Sequence, residues 1–321
     1  MLRRRPGTRW LIVRTDRLGE TVLTLPAIAA VRDAHPTDHI ALMVQPALAG
    51  LMRAVEGIDE VIEAPLASPW WAQVLPAARR MRGFDTVLLA HPYKAWHAAA
   101  WLAGVPQRVG YDRKWGGLLT HRLPDRKALG DRHEVAYNLD VVRAVGVALP
   151  QPRWPALRTD PEEAGIDVLC AGLRCKAADA FVIHPWTSHP SKQWPIDRYT
   201  RLAGRIMHEL RAPVLVIGGS HEAQQPLTLP EGAVNLAGRL SLLQTAALLR
   251  RCRLLVTNDS GPMHLAALMG ARIVALFGSD DPATSPGRWG PWGSGHTVIH
   301  RPSMAAISVD EVFAAVQASA P

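Results

Sequence analysis

One order of elements, occurring twice, constrains this chain more than anything else in it: apolar strand, short polar turn, amphipathic helix. The first copy opens with RWLIVRT, turns through Asp16 to Gly19, and continues as a predicted helix from about Glu20 to Ala34. A second apolar run, HIALMV, follows His35-Pro36, and TVLLAHP (86–92) and RVGY (108–111) are further expected strands. Helices are expected over AWHAAAWLAG and EVAYNLDVVRAVG, whose closing glycines suit helix ends. The alternation restarts with helix PEEAGIDVLCAGLRC, strand AFVIHP, helix IDRYTRLAGRIMHEL and strands PVLVIGG and AVNLAG. It continues through helix SLLQTAALLRRC, strand RLLVTN, helix GPMHLAALMG, strands RIVALFG and HTVIH, and helix VDEVFAAVQAS. Strands separated by helices of this length imply parallel sheets covered on both faces. The expected fold is α/β, with two doubly wound, Rossmann-like halves and a central cleft at the carboxyl ends of their strands, where ligands of such sheets bind.

A length of 321 residues also suits two domains. Between Val147 and Thr159 the composition shifts to VALPQPRWPALRT, with three prolines and no period, so the linker is expected there. The domains are then 1–155 and 156–321. Hydrophobic residues at 48% and charged residues at 20% support a sizeable core and exclude a disordered or fibrous chain. Lys and Arg outnumber Asp and Glu by 36 to 28, and the resulting +8 favours an anionic partner without choosing its class. Cys170, Cys175 and Cys252 are too few for a disulfide framework or a zinc cluster, so a reduced compartment is expected. The N-terminal apolar run, Trp10 to Val13, is too short for a signal peptide. No stretch approaches the roughly 20 apolar residues that span a bilayer, so any membrane contact is expected to be peripheral.

Three strand-end segments carry candidate chemistry. In LLVTNDSGPMHLAALMG a strand ends at Asn258, a tight turn passes Asp259, Ser260 and Gly261, and a helix starts near Pro262. Backbone N–H groups at such a start hold phosphate well; the plainer alternative is that Asp259 or Ser260 only caps the helix. In HPWTSHPSKQWP, Thr187, Ser188 and Lys192 are placed to grip a pyrophosphate, against the alternative of a solvated loop. In TDRLGET, Glu20 stands beside Gly19 at a helix start, where acids are also common simply to complement the dipole. Glu222, in GGSHEA, is a candidate ribose acceptor. There is no G-x-G-x-x-G after a strand, no P-loop and no G-x-S-x-G elbow. The 13 histidines lack metal-ligand spacing, and neither a metal nor a cofactor is assigned. Basic clusters at Arg79 and Arg82 and at Arg113 and Lys114 lie in the first half. They are either a solvated face or the footing for an anionic acceptor.

Together these segments resemble glycosyltransferase family 9, the ADP-heptose:lipopolysaccharide heptosyltransferases. The resemblance rests on RTDRLGETVLTLPAIAAVR, HPWTSHPSKQWP, NLAGRLSLLQTAALLRRCRLLVTNDSGPMHLAALMG and VALFGSDDPATSPGRWGPWG. It implies a GT-B fold, acceptor on the first domain, nucleotide sugar on the second, and a last helix, about 308–319, packing back on the first. It also implies inverting, metal-independent transfer of a heptose from an ADP-sugar donor to an anionic glycan or lipid-linked acceptor, such as lipopolysaccharide inner core. The family's catalytic carboxylate falls on Glu20, where many members carry Asp. Its donor contacts fall on Thr187, Ser188, Lys192, Asp259, Ser260, Gly261 and His264, with its ribose acid on Glu222. Lys192 would also steady the departing diphosphate. The expected enzyme is a cytoplasmic monomer, at most peripheral at the inner membrane, with no nucleic-acid partner. Alternatives are a GT-B transferase or epimerase using another nucleotide sugar, a natural-product or protein acceptor, or a non-catalytic nucleotide-sugar binding protein.

Overall fold

The computed structural model describes residues 7–64, 69–149 and 151–319. It divides into two compact units, Met1–Ala128 with Glu134–Leu157, and Leu129–His133 with Arg158–Pro321.

The first unit comprises β1 (Arg9–Val13), α1 (Leu18–Val22), α2 (Leu25–Ala34), β2 (His39–Val44), α3 (Pro46–Arg53) and β3 (Glu60–Glu63). It continues with α4 (Val74–Met81), β4 (Thr86–Leu89), α5 (Lys94–Leu102), β5 (Gln107–Tyr111), β6 (His121–Leu123) and α6 (Glu134–Arg143). Its six strands are parallel, in the order β3-β2-β1-β4-β5-β6. The central strands are continuous apolar runs because helices cover both faces of a parallel sheet. Leu11, Val13, Ala41, Met43, Val87 and Leu89 pack against Ala77, Ala78 and Met81 of α4 and Ala95, Trp96 and Ala99 of α5. The helix expected from Glu20 to Ala34 is broken at Leu23-Thr24. Pro26 has no N–H to continue it and instead sits in the first turn of α2.

The second unit comprises α7 (Asp160–Gly172), β7 (Phe181–His184), α8 (Ile196–Glu209), β8 (Val214–Val216), β9 (Val234–Asn235) and α9 (Leu242–Arg251). After these come β10 (Leu254–Asn258), α10 (Gly261–Leu268), β11 (Ile273–Gly278), α11 (Pro286–Trp289), β12 (Thr297–Arg301) and α12 (Val309–Ser319). Its parallel order is β12-β11-β10-β7-β8-β9. Each unit, counted from its own first strand, therefore has the order 3-2-1-4-5-6 of a doubly wound sheet. The winding reverses between β1 and β4 in one unit and between β7 and β10 in the other.

The last helix packs on its own unit: Val312, Phe313 and Val316 join a core with Phe181, Leu202 and Ile206. Arg205 of α8 lies over the Phe313 ring at 3.9 Å and pairs with Asp310 at 2.7 Å. Much of the expected 147–159 linker is also tied down, since Glu56 N–H donates to Ala156 O at 2.9 Å and Arg153 pairs with Asp33 at 2.6 Å. No helix among the described residues is long and apolar enough to cross a membrane.

Candidate active site

The switch point of the second sheet gathers most of the expected donor residues. β7 ends at His184 and β10 at Asn258, on paired neighbouring strands. Asn258, fully buried, organises the turns that follow. Its Oδ1 accepts from Trp194 N–H at 3.0 Å and from the Tyr199 hydroxyl at 2.9 Å, and its Nδ2 donates to Pro185 O at 2.9 Å. Lys192, at the end of the 190–192 turn, is brought to Asp259, Nζ to Oδ2 2.5 Å. The Thr187 hydroxyl donates to Asp259 O at 3.3 Å; Ser188 beside it is exposed.

Ser260 holds the N-cap position of α10, in extended conformation, yet its side chain makes no capping bond. The hydroxyl instead lies 3.1 Å from His184 Nδ1 and 2.9 Å from Thr257 Oγ1. Capping alone therefore does not account for this turn, and the start of α10 at Gly261 is left to its backbone dipole. His264 is buried in the same helix, 2% exposed. His184 Nε2 reaches Glu222 Oε2 at 3.5 Å, and Glu222 also accepts Gly219 N–H at 2.7 Å. Burial raises the Glu222 carboxyl, but His184 and the Gly219 N–H outweigh it and hold the group below the ordinary carboxylate range. Gly218 is required here, because a Cβ would stand 2.8 Å from the Trp186 ring.

The first sheet's switch point holds Glu20. Its carboxylate accepts from Arg17 at 2.7 Å and its side chain is 12% exposed. Behind it lies a buried charged chain: Arg14, 4% exposed, meets Asp16 at 2.8 Å and Glu134 at 3.7 Å, and Glu134 meets Lys127 at 2.6 Å. Burial, opposed by Arg14 and reinforced by the Glu20 charge, raises the Asp16 carboxyl. Thr15 lies 3.0 Å from His91 Nδ1 and accepts from Trp96 Nε1 at 2.7 Å. Burial, with Arg14 and Lys114 nearby, lowers His91 to about 4.

The basic residues separate. Arg113 and Lys114 follow the carboxyl end of β5, on the edge that carries Glu20. Arg82 lies just before β4, whose first residue Thr86 pairs with Trp10 at the amino end of β1, so Arg79 and Arg82 are not brought to that edge. Arg14, Asp16, His91, His184 and Asn258 are additional polar residues at the two switch points. His184 stood inside a conspicuous segment, but its partner Ser260 comes from 76 residues away, and His91 meets Thr15 across the same separation. Among the described residues no group of three His, Cys, Asp or Glu side chains is arranged to hold a metal ion.

Two doubly wound sheets, each with its polar side chains at the switch point, are the architecture of GT-B glycosyltransferases. The sequence matches the model of glycosyltransferase family 9 (heptosyltransferase) over residues 78–313, and the chain belongs to that family of glycosyltransferases. It is 26% identical over 300 residues to lipopolysaccharide heptosyltransferase 2 of Salmonella typhimurium, covering 86% of this chain and 84% of that one. The family 9 glycosyl transferase from Veillonella parvula superposes with a TM-score of 0.84 at 22% identity, over 98% of this chain and 97% of the other. The E. coli heptosyltransferase WaaC with ADP-2-deoxy-2-fluoro heptose gives 0.74 at 18% identity, over 98% and 100%.

Proposed function

We propose that the protein transfers a heptose from ADP-heptose to an anionic, lipid-linked glycan acceptor of the lipopolysaccharide inner-core type, with inversion at the anomeric carbon. The family match over 78–313 carries this reading. Support for the donor comes from the similar heptosyltransferase solved with an ADP-heptose analogue. The second unit takes the donor: Lys192 and the start of α10 meet the diphosphate, Thr187 and Ser188 flank it, Asp259 takes sugar hydroxyls, and Glu222 takes the ribose. The first unit takes the acceptor, with Arg113 and Lys114 as its anionic footing.

Glu20, outside the matched span, is the general base. It removes the proton of the acceptor hydroxyl as that oxygen attacks the anomeric carbon. The bond to the β-phosphate breaks on the opposite face, its electron pair leaving with ADP. Lys192 and the helix start stabilise the growing charge, so the reaction needs no metal ion. The enzyme acts in the cytoplasm as a monomer, touching the inner membrane peripherally.

The test is incubation of the protein with ADP-heptose and an inner-core acceptor, reading ADP release and a mass gain of one heptose. Glu20→Gln should lower kcat by about 10²-fold or more while ADP still binds. Turnover with a different nucleotide sugar alone, or an unaffected Glu20→Gln variant, refutes the corresponding half of the reading.

A further inference from the structure

The first unit carries an apolar surface that the proposed chemistry does not use. α4 and α5 pack side by side. Beside them and the 116–118 turn lies a cavity of about 410 Å³ lined by Val74, Ala98, Trp101, Leu102, Trp115 and Leu118. Its rim is open: Trp101 is 57% exposed, Leu102 44% and Trp115 40%. The turn leading into α4 adds Trp71 at 63%, and α4 itself adds Leu75 at 60%. Trp70 packs edge-on to Trp115 with centroids 5.1 Å apart, which steadies both indoles. Large apolar side chains exposed singly are ordinary, but a contiguous group marks an interaction surface.

Charge selects the occupant. From Leu75 the exposed face of α4 runs on to Arg79 and then to Arg82 just past its end. Among the described residues neither arginine forms an ion pair, whereas Arg113 pairs with Asp125 at 3.6 Å and Arg122 with Asp112 at 3.9 Å. A second copy docked by two-fold symmetry would set this basic rim against its own image. A phosphate-bearing lipid surface meets it with opposite charge. Indoles settle at the headgroup level of a bilayer, and basic side chains beside them gain from anionic lipid.

We propose that this flank of the first unit docks on an anionic lipid bilayer. Trp71, Leu75, Trp101, Leu102 and Trp115 enter the headgroup–acyl boundary, and Arg79 and Arg82 meet lipid phosphates. The inference rests on and deepens the reading of peripheral membrane contact by naming its surface; docking needs neither donor nor acceptor, so it can fail while heptose transfer from ADP-heptose stands.

The experiment is co-sedimentation of the full chain with phosphatidylethanolamine–phosphatidylglycerol vesicles and with phosphatidylcholine vesicles. The wild type should partition onto the anionic vesicles, and raising salt from about 0.1 to about 0.5 M should weaken this. The pairs Trp101→Ser with Leu102→Ser, and Trp71→Ser with Leu75→Ser, should each lower the partition about tenfold at unchanged melting temperature, by removing apolar surface from the boundary. A wild type that stays in the supernatant, serine variants that sediment like it, or equal partition onto neutral vesicles overturns the proposal. So does a wild-type dimer that the serine pairs convert to monomer, which assigns the flank to a second copy.

Discussion

At the scale of residues, Lys192 and Asp259 matter most as a pair. Asp259 has a side chain only 9% exposed, and its carboxylate is neutralised locally by Lys192 at 2.5 Å. Removing the lysine takes away a phosphate partner and also strips the Asp259 carboxylate of its ammonium close to where the diphosphate is proposed to sit. Lys192→Ala should therefore weaken ADP binding by about 1.5–3 kcal/mol, roughly 10- to 150-fold. Lys192→Ala with Asp259→Asn should recover part of the loss, because the carboxylate charge is gone. Titration calorimetry of the two variants checks both. If the double variant binds no better than the single one, the carboxylate lies too far from the phosphates to repel them.

At the scale of elements, β10 is held by what its last residue does. Asn258 joins the end of β10 to the entrance of α8 through three hydrogen bonds, none reachable by water. Asn258→Ala should strand the Trp194 N–H, the Tyr199 hydroxyl and the Pro185 carbonyl, lowering stability by about 2–4 kcal/mol. Chemical denaturation measures this, and a loss under about 0.5 kcal/mol would mean that those groups find other partners. Such cross-links explain what the sequence could and could not reveal. HIALMV and RLLVTN read as strands because both faces of a central parallel strand are buried. Glu60–Glu63 and His121–Leu123 did not, because they are edge strands with exposed, charged side chains. α3 and α4 passed without a signal strong enough to name them. Lys192, Asp259 and Ser260 were legible because their local segments, a polar turn after an apolar run, already imply a strand end. His184 and Arg14 were not, since their roles depend on Glu222, Ser260, Asp16 and Glu134, which only the fold assembles.

At the scale of the whole molecule, buried and half-buried histidines set the response to acid. His91 is held at about 4 in the folded chain by burial, Arg14 and Lys114, against an ordinary 6.5. The unfolded chain therefore takes up a proton below about pH 6.5 that the folded chain refuses until about pH 4. Stability is complete above this window and falls as the pH drops through it, by up to about 3 kcal/mol from His91 alone. His97 and His296 are also lowered by burial and add in the same direction. Asp16, whose carboxyl is raised, works the opposite way over the range between its ordinary and raised values. Melting temperature should fall between pH 7 and pH 5, and His91→Gln should flatten the slope. An equal slope in the variant would show that His91 protonates without penalty in the fold.

The short excursion Leu129–His133 has a consequence for how the chain is made. It belongs to the second unit although it lies within the sequence of the first. His133 Nε2 meets Gly290 O at 2.9 Å, a partner 157 residues further on. During synthesis at about 5–20 residues per second, that partner emerges roughly 8–30 s later. The first sheet can close before this contact exists, and the contact forms only once Gly290 has left the ribosome. Gly130 is the excursion's tightest point, with φ +62° and room for a Cβ only 1.9 Å from Pro282 O. Gly130→Ala should leave early collapse intact and slow or abolish the last step, seen as a protease-sensitive intermediate with the first unit already protected. A nascent chain of this protein thus carries one segment of the later unit long before the Gly290 carbonyl that His133 meets has been made, a window in which a chaperone has a defined segment to hold.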